Sequence, residues 1–119
     1  TSFLLVDSIG KKIKVVQDVA QRLELDNVVA VQERAEKIKD KFDVIVSRAV
    51  TDLPSFMKWV NNKLRITNDI EAGGVLYLKG GDVDAELKDV PKNWKRKKIP
   101  VSRWFEEPYF EEKYIIHLY

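Results

Sequence analysis

Four short runs of mostly β-branched and other apolar residues limit what this chain can fold into. They lie at Phe3–Val6, Val28–Val31, Phe42–Val46 and Val75–Lys79. Each run has the length and the largely continuous apolar character of a strand that is covered on both faces. Segments of helical pattern separate the runs. This alternation predicts an α/β fold with βαβ units, right-handed crossovers and a mainly parallel sheet.

The intervals between these runs predict helices. Ser8 is placed to cap the first helix, which Asn27 is expected to close, and Asp52 is placed to cap the second, with Pro54 tolerated in its first turn. The last two predicted strands have no convincing helix between them, so we expect an antiparallel hairpin at one edge of the sheet. The remaining predictions are apolar helix positions at Ile13, Val16, Ala20 and Leu23, a helical turn at Arg34–Lys39, a short helix at Asp82–Leu87 and hairpin strands near Trp94–Ile99 and Tyr114–Tyr119.

Composition narrows the class of protein. With 119 residues, of which 45% are hydrophobic and 34% charged, the chain is expected to be one globular domain, or part of one, over 1–119 and not a disordered segment. No apolar run approaches the roughly 20 residues of a membrane span. The absence of cysteine excludes disulfides, Cys-ligated zinc and a thiol nucleophile, and it fits a cytoplasmic protein. No other metal-ligand spacing is evident, so no metal site is predicted.

Charged residues follow the predicted strands, where ligands bind in open α/β sheets. Asp7 is placed to accept hydrogen bonds from ribose hydroxyls, or alternatively to serve as an acid at the start of the first helix. Arg48 is placed to anchor an anion or cofactor, or to form an ion pair with Glu33 or Glu36. Lys79, followed by Gly80, allows a ligand to approach the backbone, or simply ends a strand in a turn.

A basic run between Lys92 and Lys98 contains Trp94. It could contact nucleic-acid phosphates with an interleaved stacking ring, or it could be an edge strand that lysines protect from aggregation. The only histidine, His117, lies between apolar neighbours and is expected to be structural. The sequence contains no evident acid–base pair, so no catalytic residue is predicted.

Three segments together resemble one family: FLLVDSIGKKIKVVQDVAQRLELDNVVAVQERAE from Phe3, FDVIVSRAV from Phe42 and LYLKGG from Leu76. They are similar to the bacterial small-subunit (16S) ribosomal RNA guanine-N7 methyltransferases, the RsmG or GidB family. The resemblance implies a Rossmann-like class I methyltransferase fold, S-adenosylmethionine as cofactor and 16S ribosomal RNA of the small ribosomal subunit as partner. It also implies methylation of ring nitrogen 7 of a guanine.

The resemblance assigns roles residue by residue. Asp7 matches the acid beside the adenosine, Ala35 and Glu36 match a pair on the adenine side, and Arg48 matches a cofactor-binding Arg. Lys79 and Gly80 match a block near the substrate. The resemblance covers Phe3 to about Gly81, and the basic residues beyond it are candidates for substrate binding on their charge: Lys95, Arg96, Lys97 and Lys98.

The sequence starts at what the family has as its second strand, before which the family carries a first strand and a Gly-rich GxGxGFPG loop. We therefore expect a truncated, C-terminal part of the fold, inactive by itself, with weak or no affinity for S-adenosylmethionine. The free sheet edges are expected either to re-pair, with Phe3–Val6 against Phe42–Val46, or to dimerise. Two alternatives stay open: a nucleotide- or dinucleotide-binding Rossmann domain of an oxidoreductase, and a non-catalytic RNA-binding interaction domain.

Overall fold

The computed structural model describes residues 1–48, 51–65, 68–69 and 72–119, which form two compact units, 1–39 and 40–119. The predicted α/β class is confirmed, with one parallel two-stranded sheet and one mixed four-stranded sheet in the described ranges. The organisation of 1–119 as a single domain stays a prediction. Within those ranges, no helix is long and apolar enough to cross a membrane.

The first unit is a βαβ element. Strand β1 (Phe3–Asp7) leads through helix α1 (Gly10–Arg22) to strand β2 (Val28–Gln32), and a 3₁₀ turn follows at Ala35–Lys37. The two strands are parallel and in register along their whole length, so that Asp7 lies beside Gln32 at their carboxyl ends. Helix α1 buries Ile13.

The predicted ends of α1 were wrong in detail. Ser8 does not cap the helix: the N-cap is Ile9, without a side-chain cap, and the Ile9 N–H donates to Asp7 Oδ1 at 2.8 Å. The helix stops at Arg22, which leaves Leu23 64% exposed instead of on the apolar face. Asn27 does not close the helix; its side-chain amide donates to the Thr1 carbonyl at 2.9 Å.

The second unit contains the mixed sheet, in the order β3-β4-β6-β5. Strand β4 runs parallel to β3, and β6 runs antiparallel to both β4 and β5. This confirms the predicted C-terminal hairpin. Strand β1 pairs with β2 and β3 pairs with β4, each along one edge, and pairing of Phe3–Val6 with Phe42–Val46 stays a prediction. The elements are β3 (Val44–Arg48), α2 (Leu53–Val60), β4 (Gly74–Gly80), α3 (Val83–Leu87), β5 (Arg96–Pro100) and β6 (Lys113–Leu118).

Helix α2 begins as predicted. The Ser55 N–H donates to Asp52 Oδ1 at 3.0 Å, and Pro54 lies in the first turn. The backbone hydrogen bond from Ser55 lowers the pKa of Asp52 below its usual value. Helices α2 and α3 supply apolar side chains to the same core as strands β4 and β6. The core residues are Leu53, Phe56, Met57, Val60, Val75, Tyr77, Val83, Leu87, Val90, Ile116 and Leu118.

Gly74 permits the close approach of β6 to the start of β4. Its φ is +102°, and a Cβ at this position would lie 2.2 Å from the Leu118 carbonyl oxygen. Any other residue would combine an unfavourable backbone conformation with a clash against backbone atoms. Gly74 therefore helps to set the β4–β6 register.

We predict that Tyr77→Phe lowers the free energy of unfolding by about 1 kcal/mol, because a buried hydrogen bond is lost. The Tyr77 ring is fully buried and its hydroxyl donates to the Thr51 carbonyl. Urea unfolding of the purified chain measures the change. Tyr109→Phe is the matched control, since Tyr109 is 69% exposed. Equal stability of the Tyr77→Phe chain and the parent would contradict the prediction.

Candidate functional site

The carboxyl ends of β1 and β2 hold Asp7 in the first unit. Asp7 Oδ1 accepts from the Ile9 N–H, and Oδ2 lies 3.9 Å from Lys12 Nζ, while the side chain is 36% exposed. One carboxylate oxygen thus orders the entry to α1, which is the alternative role that the sequence left open. The exposed carboxylate still has acceptor capacity for hydroxyl donors.

Gln32 closes the space between β2 and the start of α1. Its amide nitrogen donates to the Ser8 carbonyl at 3.3 Å, and a Cβ on Gly10 would lie 2.8 Å from its Oε1. A side chain at Gly10 would therefore displace the Gln32 amide from its present position. The sequence placed Gln32 at a strand end but gave it no role.

Ala35 and Glu36 lie together in the 3₁₀ turn that follows β2. Ala35 is half-buried and Glu36 is exposed. Glu36 Oε1 is 3.7 Å from Arg34 Nη1, and Glu33 accepts from the Arg34 N–H at 2.9 Å. The structure thus confirms a helical turn here and gives it a half-buried small residue beside acidic ones.

Arg48 ends β3 in the second unit and is exposed. Its neighbour Ser47 points to the opposite face, where it is 7% exposed and its hydroxyl has no hydrogen-bond partner among the described residues. Strand alternation thus directs the charged side chain away from the core that buries Ser47. A cofactor role for Arg48 stays a prediction.

Lys79 belongs to an ion-pair network that joins three elements. Its Nζ lies 2.8 Å from Glu86 Oε1 on α3, and Glu86 Oε2 accepts from the Leu53 N–H at 3.3 Å, at the start of α2. The hydrogen bond from Glu86 raises the pKa of Lys79 above its usual value. Glu86 was not predicted from the sequence. Its only signal there was that an acid lies in the predicted helix that follows Lys79.

Gly80 and Gly81 bring the end of β4 against the start of β6. Gly80 pairs with Lys113, and the Gly81 N–H donates to the Glu112 carbonyl at 3.1 Å. A Cβ on Gly80 would lie 2.8 Å from Lys113 Nζ. The segment that precedes β6 therefore lies at the carboxyl end of β4, next to Lys79.

The side chains of the basic run make different kinds of contact. Arg96 donates to the carbonyls of Leu87, Val90, Pro91 and Trp94 at 2.6 to 3.3 Å, which engages its guanidinium within the fold. Lys98 Nζ lies 3.2 Å from Asp84 Oδ2, whereas Lys97 Nζ lies 5.4 Å from the centre of the Tyr119 ring. Lys95 is exposed and exchanges backbone hydrogen bonds with Tyr119.

The strand register places the start of this run away from the carboxyl end of β4. Arg96 pairs with Leu118, which in turn pairs with Val75 near the start of β4. At about 3.3 Å per residue, the five steps from Val75 to Gly80 correspond to about 16 Å. The structure therefore brings Lys79 and Gly80 together but does not bring the start of the basic run to them.

The fold is that of the class I S-adenosylmethionine-dependent methyltransferases. An rRNA methylase from Streptococcus thermophilus matches with a TM-score of 0.68 at 8% identity, over 98% of this chain and 72% of that one. A tRNA m1G37 methyltransferase from M. jannaschii also gives 0.68 at 15% identity, over 98% and 36% of the two chains. At these identities the likeness concerns the fold alone.

Sequence comparison identifies the family within that class. The model of the GidB family, rRNA small subunit methyltransferase G, matches residues 1–106, and the chain belongs to this family. Ribosomal RNA small subunit methyltransferase G of Flavobacterium psychrophilum is 51% identical over 99% of this chain and 56% of its own length. The Porphyromonas gingivalis protein of that name is 44% identical over 98% and 53%. The chain thus spans about half the length of these relatives.

We predict that Glu86→Gln lowers the free energy of unfolding at pH 8 and that the difference from the parent shrinks above pH 10.5. The raised pKa of Lys79 means that the pair stabilises fully below the ordinary lysine pKa of 10.5, and that this contribution is lost as pH rises through the folded-state value. Urea unfolding between pH 8 and 11 measures both effects.

Asp84→Asn is the control on the same helix, because the Asp84–Lys98 pair has a carboxylate that is 67% exposed and such pairs contribute little. Burial also raises the pKa of Tyr77, so the parent and both variants should lose stability above pH 10. A Glu86→Gln deficit that stayed constant across this range would show that charge pairing with Lys79 is not its cause.

Proposed function

We propose that the protein containing this chain transfers a methyl group from S-adenosylmethionine to ring nitrogen 7 of a guanine in 16S ribosomal RNA, in the cytoplasm. The observation that carries the proposal is membership of the GidB family over residues 1–106. The class I methyltransferase fold is consistent with it. Because the relatives are about twice as long, the activity is proposed for the longer protein and not for residues 1–119 alone.

The hydrogen-bonding groups of the first unit fit the nucleoside part of S-adenosylmethionine. The exposed Asp7 carboxylate offers acceptors, and ribose hydroxyls are donors. We propose that Ala35 and Glu36 contact the adenine. Arg48 is proposed as a further cofactor-binding residue. Lys79 and Gly80 are proposed for the substrate, as are Lys95, Arg96, Lys97 and Lys98.

The reaction asks little of titratable side chains. Bound S-adenosylmethionine would supply a methyl group activated by its positively charged sulfonium, from which a neutral thioether leaves as the carbon–sulfur bond breaks. Ring nitrogen 7 of guanine has a free lone pair, so no general base is needed to activate it. The chain's residues would act mainly by orientation, an effect that can reach about 7–11 kcal/mol. An orienting role agrees with the ion pair between Lys79 and Glu86, which holds the lysine in place and brings no second acid beside it.

Single-stranded or opened RNA is the substrate form that this chemistry requires. In an A-form duplex, nitrogen 7 faces a deep and narrow major groove that side chains cannot enter. The family match favours the methyltransferase over the dinucleotide-binding alternative. An RNA-binding module without catalysis stays the second candidate, for which the basic run is the supporting feature.

The test is methylation of small-subunit ribosomal RNA by the longer protein with radiolabelled S-adenosylmethionine. In that protein, Asp7→Ala should raise the KM for S-adenosylmethionine about 10-fold or more, because charged hydrogen bonds contribute about 1.5–3 kcal/mol. Asp18→Ala is the matched control, as Asp18 pairs only on the surface with Arg22 at 3.0 Å.

Absence of methyl transfer by the longer protein would overturn the proposed function. Equal effects of the Asp7 and Asp18 substitutions would overturn the assignment of Asp7. Calorimetry with residues 1–119 is expected to give weak or no binding of S-adenosylmethionine, and tight binding would contradict the expectation that a larger part of the fold is needed.

We also propose that residues 1–119 dimerise through exposed strand edges. In the described part of the chain, β1 and β3 each have one strand partner, and Val46 on β3 is 64% exposed. Such edges can pair with another chain. Sedimentation velocity should detect dimers that Val46→Lys weakens, whereas Val15→Lys on α1, at a site 63% exposed, should not. A monomer at all concentrations would refute the proposal.

A further inference from the structure

The loop between β5 and β6, residues 101–112, exposes three aromatic rings at the carboxyl end of β4. Trp104 is 57% exposed, Phe105 49% and Tyr109 69%. The 3₁₀ turns Val101–Arg103 and Pro108–Phe110 shape the loop, which we call the aromatic loop. Exposed rings grouped in this way are typical of an interaction surface.

In the aromatic loop, Phe105, Tyr109 and Phe110 contact one another, and cations lie beside Trp104 and Tyr109. Phe110 packs against Phe105, with 4.9 Å between ring centres, and against Tyr109 at 5.1 Å. The Arg103 guanidinium lies 5.8 Å from the Trp104 ring, and Lys113 Nζ lies 4.9 Å from the Tyr109 ring. Each of the two most exposed rings thus has a cation beside it, an arrangement that suits a nucleotide, with its base on the ring and its phosphate near the cation.

The position of the aromatic loop connects it to Lys79. The loop ends where Lys113 pairs with Gly80 and where the Glu112 carbonyl accepts from the Gly81 N–H. It therefore lies at the end of the sheet where ligands bind in α/β folds, whereas the basic run starts near the other end. The family match ends at residue 106, within this loop.

We propose that the aromatic loop binds unpaired RNA bases by stacking them on Trp104 and Tyr109, next to the carboxyl end of β4. The proposal rests on the proposed function, since it names how the RNA substrate is held. The loop also carries Glu106, Glu107, Glu111 and Glu112, which would repel a continuous phosphate backbone. Stacking on bases tolerates this repulsion, because an aromatic ring attracts the base and not the phosphate.

A short unstructured RNA labelled with a fluorophore tests the proposal by anisotropy with residues 1–119. Trp104→Ala and Tyr109→Ala should each weaken binding about 5- to 150-fold, the range for loss of one stacked base. Trp104→Phe and Tyr109→Phe should retain most of the affinity, because they keep a ring. Phe3→Ala is the matched control: Phe3 is 49% exposed, as Phe105 is, but lies at the amino end of β1.

Two further measurements separate stacking from other modes. A plot of log affinity against log salt should have a slope of about −1.4, from two phosphate contacts on a single strand. Duplex RNA of the same sequence should bind more weakly than the single strand. Unchanged affinity in both alanine variants, a preference for duplex RNA, or no RNA binding by the parent chain would overturn the proposal. Trp104-dependent capture of a lysine-rich peptide in place of RNA would also overturn it, as a protein partner would then fit the acidic loop better.

The outcomes distinguish this proposal from the proposed function. Methylation by the longer protein with unchanged RNA affinity in the loop variants would leave the function intact and overturn the role of the loop. RNA binding that depends on the rings, without any methylation by the longer protein, would support the role of the loop and overturn the proposed function. Urea unfolding of each variant checks that the exposed substitutions leave the fold intact.

Discussion

The antiparallel pairing of β4 with β6 determines where most of the described chemistry of the second unit lies. It extends from Val75 opposite Leu118 to Gly80 opposite Lys113, and Gly74 is required at its beginning because a side chain there would meet the Leu118 carbonyl. The pairing places the residues before β6 at the carboxyl end of β4. A shift of one residue would reverse the faces on which Tyr77 and Lys79 lie, and would therefore disrupt the core and the ion pair together.

Residues of the core and of the Lys79 ion-pair network both bind the backbone at the start of α2. Tyr77 is buried among the core side chains, while its hydroxyl holds the Thr51 carbonyl just before α2. Glu86 accepts from the Leu53 N–H at the first residue of α2 and binds Lys79 with its other oxygen. The start of α2 is thus fixed from both β4 and α3. Ordering of this kind is what orientation-based catalysis needs from a scaffold.

The sequence predicted the elements well because their signals are local. Apolar runs and an Asx cap define β3, β4 and the start of α2 without reference to distant residues. The predictions that failed depended on tertiary competition. Ser8 does not cap α1 because the neighbouring Asp7 carboxylate accepts from the Ile9 N–H. The contacts of the basic run, such as those of Arg96 with backbone carbonyls, arise only in the folded chain, and a role of the run in substrate binding stays a prediction. Glu86 and the aromatic loop were missed because tertiary contacts bring them to the end of β4: the packing of α3 places Glu86 beside Lys79, and the β4–β6 register places the loop there.

The basic run and the aromatic loop present different chemistry to a nucleic acid. Two cations of the basic run have partners within the fold: Arg96 donates to backbone carbonyls, and Lys98 pairs with Asp84. The aromatic loop has more acids than bases, yet it presents rings where the strands end. A methyltransferase that must select one base in an opened strand gains more from a surface that binds bases than from one that binds any phosphate, because phosphate contacts carry no information about which base is unpaired.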